Sequence, residues 1–436
     1  MIRTLDLRGR VLTTAELLRE IPRPVMDVSH AQTAARDLID DVRSRGTAAL
    51  LDHAERFDGV RPASVRVPAH ELSAALSQLD PAVRAALDEA IVRVRTVARA
   101  QVPSANRTVL GDGAVVEQRW QPVRRVGLYV PGGKAVYPSS VIMNVVPAQE
   151  AGVQSIAVAS PAQQQFGGSV HPTILAAVAL LGVTEVYAMG GASAIGALAH
   201  GVDELGLEPV DVVTGPGNVF VAAAKRLVRG VVGIDAEAGP TEILVIADAS
   251  ADAALVAADL VSQAEHDELA ASVLVTESAE LAEAVSRELA TCVASTTHGE
   301  RVRAALGGAQ SAIVLVDDQN AAARFSDAYA PEHLELHTAD TDATLSLIHN
   351  AGAIFVGAHS PVSLGDYLAG SNHVLPTGGQ ARFASALGVH TFLRPQQIIR
   401  YNAQGLAAVE ARIRALATAE DLPAHADAVT ARLRRS

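Results

Sequence analysis

At 436 residues, and with roughly 150 residues to a domain, the chain has the length for about three structural units. Hydrophobic residues make up 49% and charged residues 19%, which supplies ample core material and excludes wholesale disorder. The net charge of −13 argues against a nucleic-acid partner, whose binders carry basic patches. The single cysteine, Cys292, excludes an internal disulfide and any metal site built from several thiolates.

Met1–Arg8 holds no apolar run, so no secretory signal is expected. The most apolar windows, near 172–183 and 186–199, fall short of the roughly 20 residues a spanning helix needs. A cytoplasmic protein without a membrane partner is the expectation. Residues 1–25 read as a short, charged helical arm ending at Pro22 and Pro24. A helical pattern runs from about 29 to 57 with Ser29 as N-cap. Pro81 opens another helix to about 100, with Val83, Leu87, Ile91 and Val94 as its apolar positions.

The texture then changes to short apolar runs alternating with helices. Val126–Val130 precedes Pro131-Gly132-Gly133 and a helix from Ser139, and Ser155–Ala159 is a second run. Glu185–Met189 leads through Gly190-Gly191 into a helix ending at His200, and Val210–Val213 leads through Gly215-Pro216-Gly217-Asn218 into one ending at Arg229. After Gly239-Pro240 the rhythm restarts with strands Ile243–Ala247, Ser272–Thr276, Ile313–Val316, Leu334–His337 and Ile354–Gly357, and helices at 251–266 and 279–290. Such alternation marks βαβ units and parallel sheets. The expected fold class is therefore α/β, with two Rossmann-like parallel-sheet domains, a helical N-terminal segment and a helical C-terminal tail. The tail, with a helix around 405–418, has too little apolar material for a core of its own and must pack on something else, such as a second subunit.

Three glycine-rich turns, at 131–133, 190–191 and 215–217, each sit between a strand and a helix. Such turns aim backbone N–H groups at an anion, although glycine there also serves as a plain tight turn. None is a G-x-G-x-x-G or a Walker sequence. Gln263 and His266 are spaced i, i+3 at a helix end, so they share a face and can converge on one ion; a solvent-facing polar surface is the simpler alternative. Glu332-His333 lies at a helix–strand boundary and offers an acid/base pair. Regular strand backbone would send the two side chains to opposite faces, so both reach one substrate only where the backbone is irregular, as Pro331 suggests. Asp366 follows a strand and offers either a metal ligand or a turn cap. From the residues alone the chain is a two-core α/β enzyme with a phosphate-bearing ligand and a mixed N/O metal site.

These segments, in this order, resemble the histidinol dehydrogenase family. The resemblance is carried by Gly127-Leu128-Tyr129-Val130-Pro131-Gly132-Gly133, Tyr137-Pro138-Ser139-Ser140-Val141, Thr214-Gly215-Pro216-Gly217-Asn218 and Ala238-Gly239-Pro240-Thr241-Glu242. Gln263-Ala264-Glu265-His266-Asp267, Pro331-Glu332-His333-Leu334-Glu335 and Gly370-Ser371-Asn372-His373 complete it. It implies a four-electron oxidation of L-histidinol through the aldehyde to L-histidine, with NAD and zinc as cofactors. Gln263, His266, Asp366 and His425 would be the zinc ligands, and His333 and Glu332 the catalytic pair. Thr241 and Glu420 would contact substrate together with the ligands, with His373 close by. Tyr129, Ser193 and Asn218 would contact NAD; the family carries glutamine where this chain has the shorter Ser193. The resemblance also implies a homodimer that exchanges its tail, so that His425 comes from the other subunit. The corresponding division is 1–25 for the arm, 26–108 with 241–380 for the larger domain carrying metal and catalytic residues, 109–240 for the second domain and 381–436 for the tail.

Three alternatives stand beside this. A relative acting on another small hydroxy compound, such as a sulfonated propanediol, would keep the fold, NAD and zinc; Glu420, a carboxylate suited to a cationic substrate, argues against it. A cysteine-dependent aldehyde dehydrogenase would need Cys292 as nucleophile, yet Cys292 lies at a helix end with no glycine-rich turn beside it. A two-lobed binding protein would need neither metal nor base.

Overall fold

A computed structural model describes residues 2–20, 22–23, 28–132, 136–237 and 239–434. Gly133, Lys134, Ala238 and Pro24, as well as the side chain of Ser29, lie outside that description. The strands in chain order are β1 (Arg3–Asp6), β2 (Asn106–Gly111), β3 (Ala114–Pro122), β4 (Arg125–Tyr129), β5 (Ser155–Ser160), β6 (Glu185–Ala188) and β7 (Val212–Thr214). They continue as β8 (Gly233–Ile234), β9 (Glu242–Ala247), β10 (Ala271–Thr276), β11 (Ala312–Leu315), β12 (His333–His337), β13 (Ala353–Val356) and β14 (Leu393–Tyr401).

Two parallel sheets carry the fold, as the alternation predicts. One has five strands in the order β6-β5-β4-β7-β8 and the other six in the order β1-β11-β10-β9-β12-β13. Every pairing within them is parallel. Parallel strands are covered on both faces, so they read as near-continuous apolar runs. Glu242–Ala247 and Ala271–Thr276 are buried along their whole length. Helices cover both faces of each sheet and close two cores around each. Among the described residues, no helix is long and apolar enough to cross a membrane.

The structure corrects the sequence reading in three places. The arm is not wholly helical: Arg3–Asp6 is a parallel edge strand beside Ala312–Leu315. Four residues with one half-buried side chain leave no apolar run by which to recognise it. Second, the helices between 28 and 101 pack largely on the five-stranded sheet, although Pro81–Gln101 also meets Val374 and Gly370 of the 241–380 segment. Ala31, Ala35, Ile39 and Val42, on the helix Val28–Arg45, pack with Tyr129, Ala157 and the helix Gly191–His200. Leu87, Ile91 and Val94, on the helix Pro81–Gln101, pack with Val126, Ile142 and Val146. The apolar face is legible in the spacing, but the surface it meets is a tertiary fact. Third, the segment after 381 is not purely helical. β14 pairs antiparallel with β3, which pairs with β2 through the turn at Asp112-Gly113. β2 is exposed throughout, so this sheet lacks the buried run that marks the other two. The tail ends in helices Ala403–Ala419 and Pro423–Leu433, which pack on each other, the first also touching β14.

Helix Val28–Arg45 lies close on Gly196, where an added Cβ would stand 3.1 Å from Ile39 Cγ1. Ile39→Ala is expected to cost about 2–5 kcal/mol of stability. Hydrogen exchange should accelerate first in Gly191–His200 and not in β9 or β12; early loss of protection in β9 would instead tie these helices to the six-stranded sheet.

Candidate active site

β9 and β12 are neighbours, with His333 opposite Ile243, so their amino ends lie side by side. Thr241 precedes β9 and Glu332 precedes β12. The helix Ala253–Ala264 brings Gln263, in its last turn, to the same place. Thr241 joins the three elements: its hydroxyl donates to Glu332 Oε2 at 2.5 Å and accepts from Gln263 Nε2 at 2.6 Å. The Glu242 N–H also donates to Glu332 Oε2, at 2.9 Å. Because Gln263 uses its NH2 group here, the atom left over is Oε1, which is buried without a hydrogen-bond partner. An orphaned buried carbonyl oxygen is costly, and it fits a cation or a ligand donor.

His333 Nδ1 lies 3.0 Å from the Glu242 carbonyl. A carbonyl only accepts, so Nδ1 carries the proton and Nε2 keeps its lone pair for base chemistry. Glu332 Oε2 is 3.6 Å from His333 Nδ1. The side chains come together because the backbone before β12 is irregular: Ala330 has φ 47° and Glu332 sits in a bend. Burial pushes the Glu332 carboxyl above its usual range, and His333, the Thr241 hydroxyl and the Glu242 N–H pull it back.

Behind this group lies a buried ion pair that sequence reasoning missed. Arg23 Nε donates to Glu242 Oε1 at 2.9 Å, and its guanidinium lies 4.2 Å over the Tyr329 ring. Burial raises Glu242 and Arg23 opposes the rise. No local signal marks Arg23 as part of the site, because its partner is 219 residues away.

His373 is half-buried, with Nδ1 3.0 Å from the Asp366 carbonyl, so Nε2 accepts from Ser140 at 3.1 Å. Burial lowers its pKa; Asp366 opposes this, while His333 and His266 add to it. Asp366, His333 and His266 all lie within electrostatic reach of this ring. Tyr137, raised by burial, is likewise within electrostatic reach of Asp366, Asp267 and Arg301. Ser140 and Tyr137 belong to a segment quoted in the sequence reading but given no role there.

Gln263, Thr241, Glu332 and His333 are therefore bonded into one cluster, with His266, Asp366 and His373 beside it. Glu420 and His425 are not part of it within one chain. Both are exposed, on the tail hairpin, and among the described residues no hydrogen bond or ion pair joins either to Gln263, His266 or Asp366.

The glycine turns of the five-stranded sheet form a second locus. The strand order reverses between β4 and β7, which makes this the switch point where ligands enter such sheets. The Tyr129 hydroxyl accepts from the Gly191 N–H at 3.1 Å. A Cβ on Gly215, at φ +119°, would meet the Tyr129 carbonyl at 2.0 Å, so only glycine fits. Asp235 Oδ2 accepts from the Gly215 N–H at 2.8 Å, while Lys225 donates to the Gly215 carbonyl and pairs with Asp235. Asn218 caps the helix Val219–Val228 through Oδ1 and is exposed. Ser193 is engaged elsewhere: its hydroxyl lies 2.8 Å from His53 Nδ1, whose Nε2 is 3.0 Å from Asp41 Oδ2.

A family model for histidinol dehydrogenase matches residues 21–433. The chain is 68% identical over 431 residues to the histidinol dehydrogenase of Leifsonia xyli subsp. xyli, covering 99% of each. It is 58% identical over 434 residues to that of Mycolicibacterium smegmatis, covering 99% of this chain and 98% of the relative. The crystal structure of histidinol dehydrogenase from Elizabethkingia anophelis superposes with a TM-score of 0.94 at 31% identity, over 100% of this chain and 98% of that one.

Glu332→Gln keeps an oxygen for both of its hydrogen bonds but removes the titration. A carboxyl raised above its ordinary 4.5 holds its proton longer in the folded state, so the parent loses stability as pH climbs from the unfolded value through the folded one. Melting temperatures across that range should fall less steeply for Glu332→Gln than for the parent; parallel curves would show that Glu332 is not raised.

Proposed function

Because the chain belongs to the histidinol dehydrogenase family, we propose that it oxidises L-histidinol through a bound aldehyde to L-histidine, with two NAD and one zinc ion. The observation that carries this is the Glu332-His333 pair, fixed by Thr241 and Glu242 beside the orphaned Gln263 Oε1. Gln263, His266, Asp366 and His425 of the partner subunit would hold zinc. An amide oxygen, two imidazoles and a carboxylate form a mixed N/O donor set that suits this ion, which supplies a Lewis acid for the substrate's nitrogen and oxygen donors. NAD, against Tyr129 and Asn218 at the glycine turns, supplies the two-electron acceptor for each oxidation; Ser193, bonded to His53, supports the turn from within.

His333 acts first. Its Nδ1–H is held by the Glu242 carbonyl, so Nε2 faces the alcohol and takes its proton. Glu332 serves the second oxidation. As a carboxylate it takes a proton from water, whose oxygen adds to the aldehyde carbon while His333 returns its proton to the carbonyl oxygen to give the hydrate; His333, neutral again, then takes a hydrate proton as the second oxidation proceeds. The Thr241 hydroxyl and the Glu242 N–H orient the Glu332 carboxylate and offset part of the cost of ionising it. Glu420, from the exchanged tail, faces the cationic end of the substrate. The exposed positions of Glu420 and His425, on a hairpin with few neighbours in its own chain, support a homodimer in which each tail completes the other site.

Two NADH should form per L-histidinol consumed; one, or none, would point to a different substrate or a single oxidation. Glu332→Gln should slow oxidation of supplied aldehyde by about 10²–10⁴-fold and the alcohol step less, whereas His333→Asn should slow both. Equal losses in Glu332→Gln would remove the division of labour. Mixing inactive His266→Asn and His425→Asn proteins after dissociation should restore about a quarter of the parent activity, because half the dimers then hold one intact site. No recovery would place His425 and His266 in the same chain's site.

A further inference from the structure

A second polar cluster lies on the same strand and helix. Along β12, His333, Glu335 and His337 share one face, opposite Ile243, Val245 and Ala247 of β9. Helix Ala253–Ala264 presents Asp259 one turn before Gln263. Where Gln263 meets Thr241, Asp259 meets the later part of β12. His337 Nε2 stands 3.9 Å from Asp259 Oδ2 and 3.5 Å from Glu335 Oε2. One ligand atom from each of Asp259, Glu335 and His337 lies within 4.8 Å of the other two. The Glu335 carboxylate is 1% exposed. Its Oε1 accepts from the Val362 N–H at 2.9 Å; its Oε2 is buried with no hydrogen bond of normal geometry. No step of the proposed reaction uses these three residues, and they share none with the proposed zinc set.

We infer that Asp259, Glu335 and His337 form a binding site for a second divalent cation, of the Zn²⁺ or Mn²⁺ class. Two carboxylate oxygens rule toward a hard or borderline ion, and the imidazole selects a transition-type ion over Mg²⁺ or Ca²⁺. The half-buried Asp259 and the buried Glu335 carboxylates, this close, repel each other, and a cation offsets both charges while giving Glu335 Oε2 a partner. Its effect is structural. It pins the helix carrying Gln263 to the strand that begins with His333, and so fixes the spacing of the reaction site from the inside of the domain.

The test counts metal. Full-length protein is stripped with a chelator and reloaded separately with Zn²⁺ and with Mn²⁺. After dialysis, bound ions per chain are measured by plasma mass spectrometry for the parent, His337→Gln, Asp259→Asn and His266→Asn, with circular dichroism confirming that each is folded. Two ions in the parent, falling to one in His337→Gln and in Asp259→Asn, support the site. A single ion lost only in His266→Asn overturns it and leaves the catalytic zinc intact; a single ion lost only in His337→Gln supports it and removes the catalytic zinc. A count unchanged in both triad variants overturns it, and would mean that protons rather than a metal hold the three groups together.

Discussion

One threonine hydroxyl organises the chemistry. Thr241, Gln263 and Glu332 come from a loop, a helix end and a strand entrance, and the Thr241 oxygen bonds to both of the others. A hydrogen bond to a charged group contributes about 1.5–3 kcal/mol, enough to keep a buried carboxylate oriented though not to erase the cost of burying it. That residual cost is what leaves Glu332 more basic than a carboxylate in water. The same geometry leaves the amide oxygen of Gln263 without a hydrogen-bond partner. A single oxygen thus tempers the basicity of one neighbour and sets the direction of the other.

The two parallel sheets offer opposite electrostatic environments. In the five-stranded sheet the glycine turns lead into helix N-termini, such as those of Gly191–His200 and Val219–Val228, where free N–H groups favour anions. In the six-stranded sheet the cluster lies at the amino ends of β9 and β12, opposite to the edge where ligands usually enter such sheets. There the helix Ala253–Ala264 arrives with its C-terminus, whose carbonyls favour positive charge. An anion and a cation would therefore find complementary fields at the two sheets. This division follows from strand direction alone and does not depend on any one charged side chain.

Most of the framework was legible because parallel strands must be apolar on both faces. Ile243–Ala247 and Ser272–Thr276 could be read almost to the residue from that rule, and the glycine turns followed from the strand ends. Arg3–Asp6 and Asn106–Gly111 escaped because an edge strand and an exposed sheet need no such run. The helices between 28 and 101 show their buried faces in the spacing but not their partners, which lie mainly on the five-stranded sheet and, for Pro81–Gln101, also at Gly370 and Val374. In the site, Gln263, Glu332 and His333 stood out by residue type and spacing. The Thr241 bridge was invisible as a hydrogen bond, since it joins positions 22 and 91 residues apart. Asp259, Glu335 and His337 passed unnoticed because alternation along a strand and one helical turn bring them together only once β12 and the helix are packed.

The ion pair between Arg23 and Glu242 carries a consequence for how the chain is handled. Glu242 supplies the N–H that grips Glu332 and the carbonyl that orients His333, yet its own buried charge is balanced from a segment near the beginning of the chain. Proteolytic clipping after that segment would leave every reacting side chain in the remaining polypeptide. It would also strand a carboxylate in the interior, on the residue whose carbonyl holds His333. Loss of a stretch that looks like a dispensable leader would thus register first as a disordered active site.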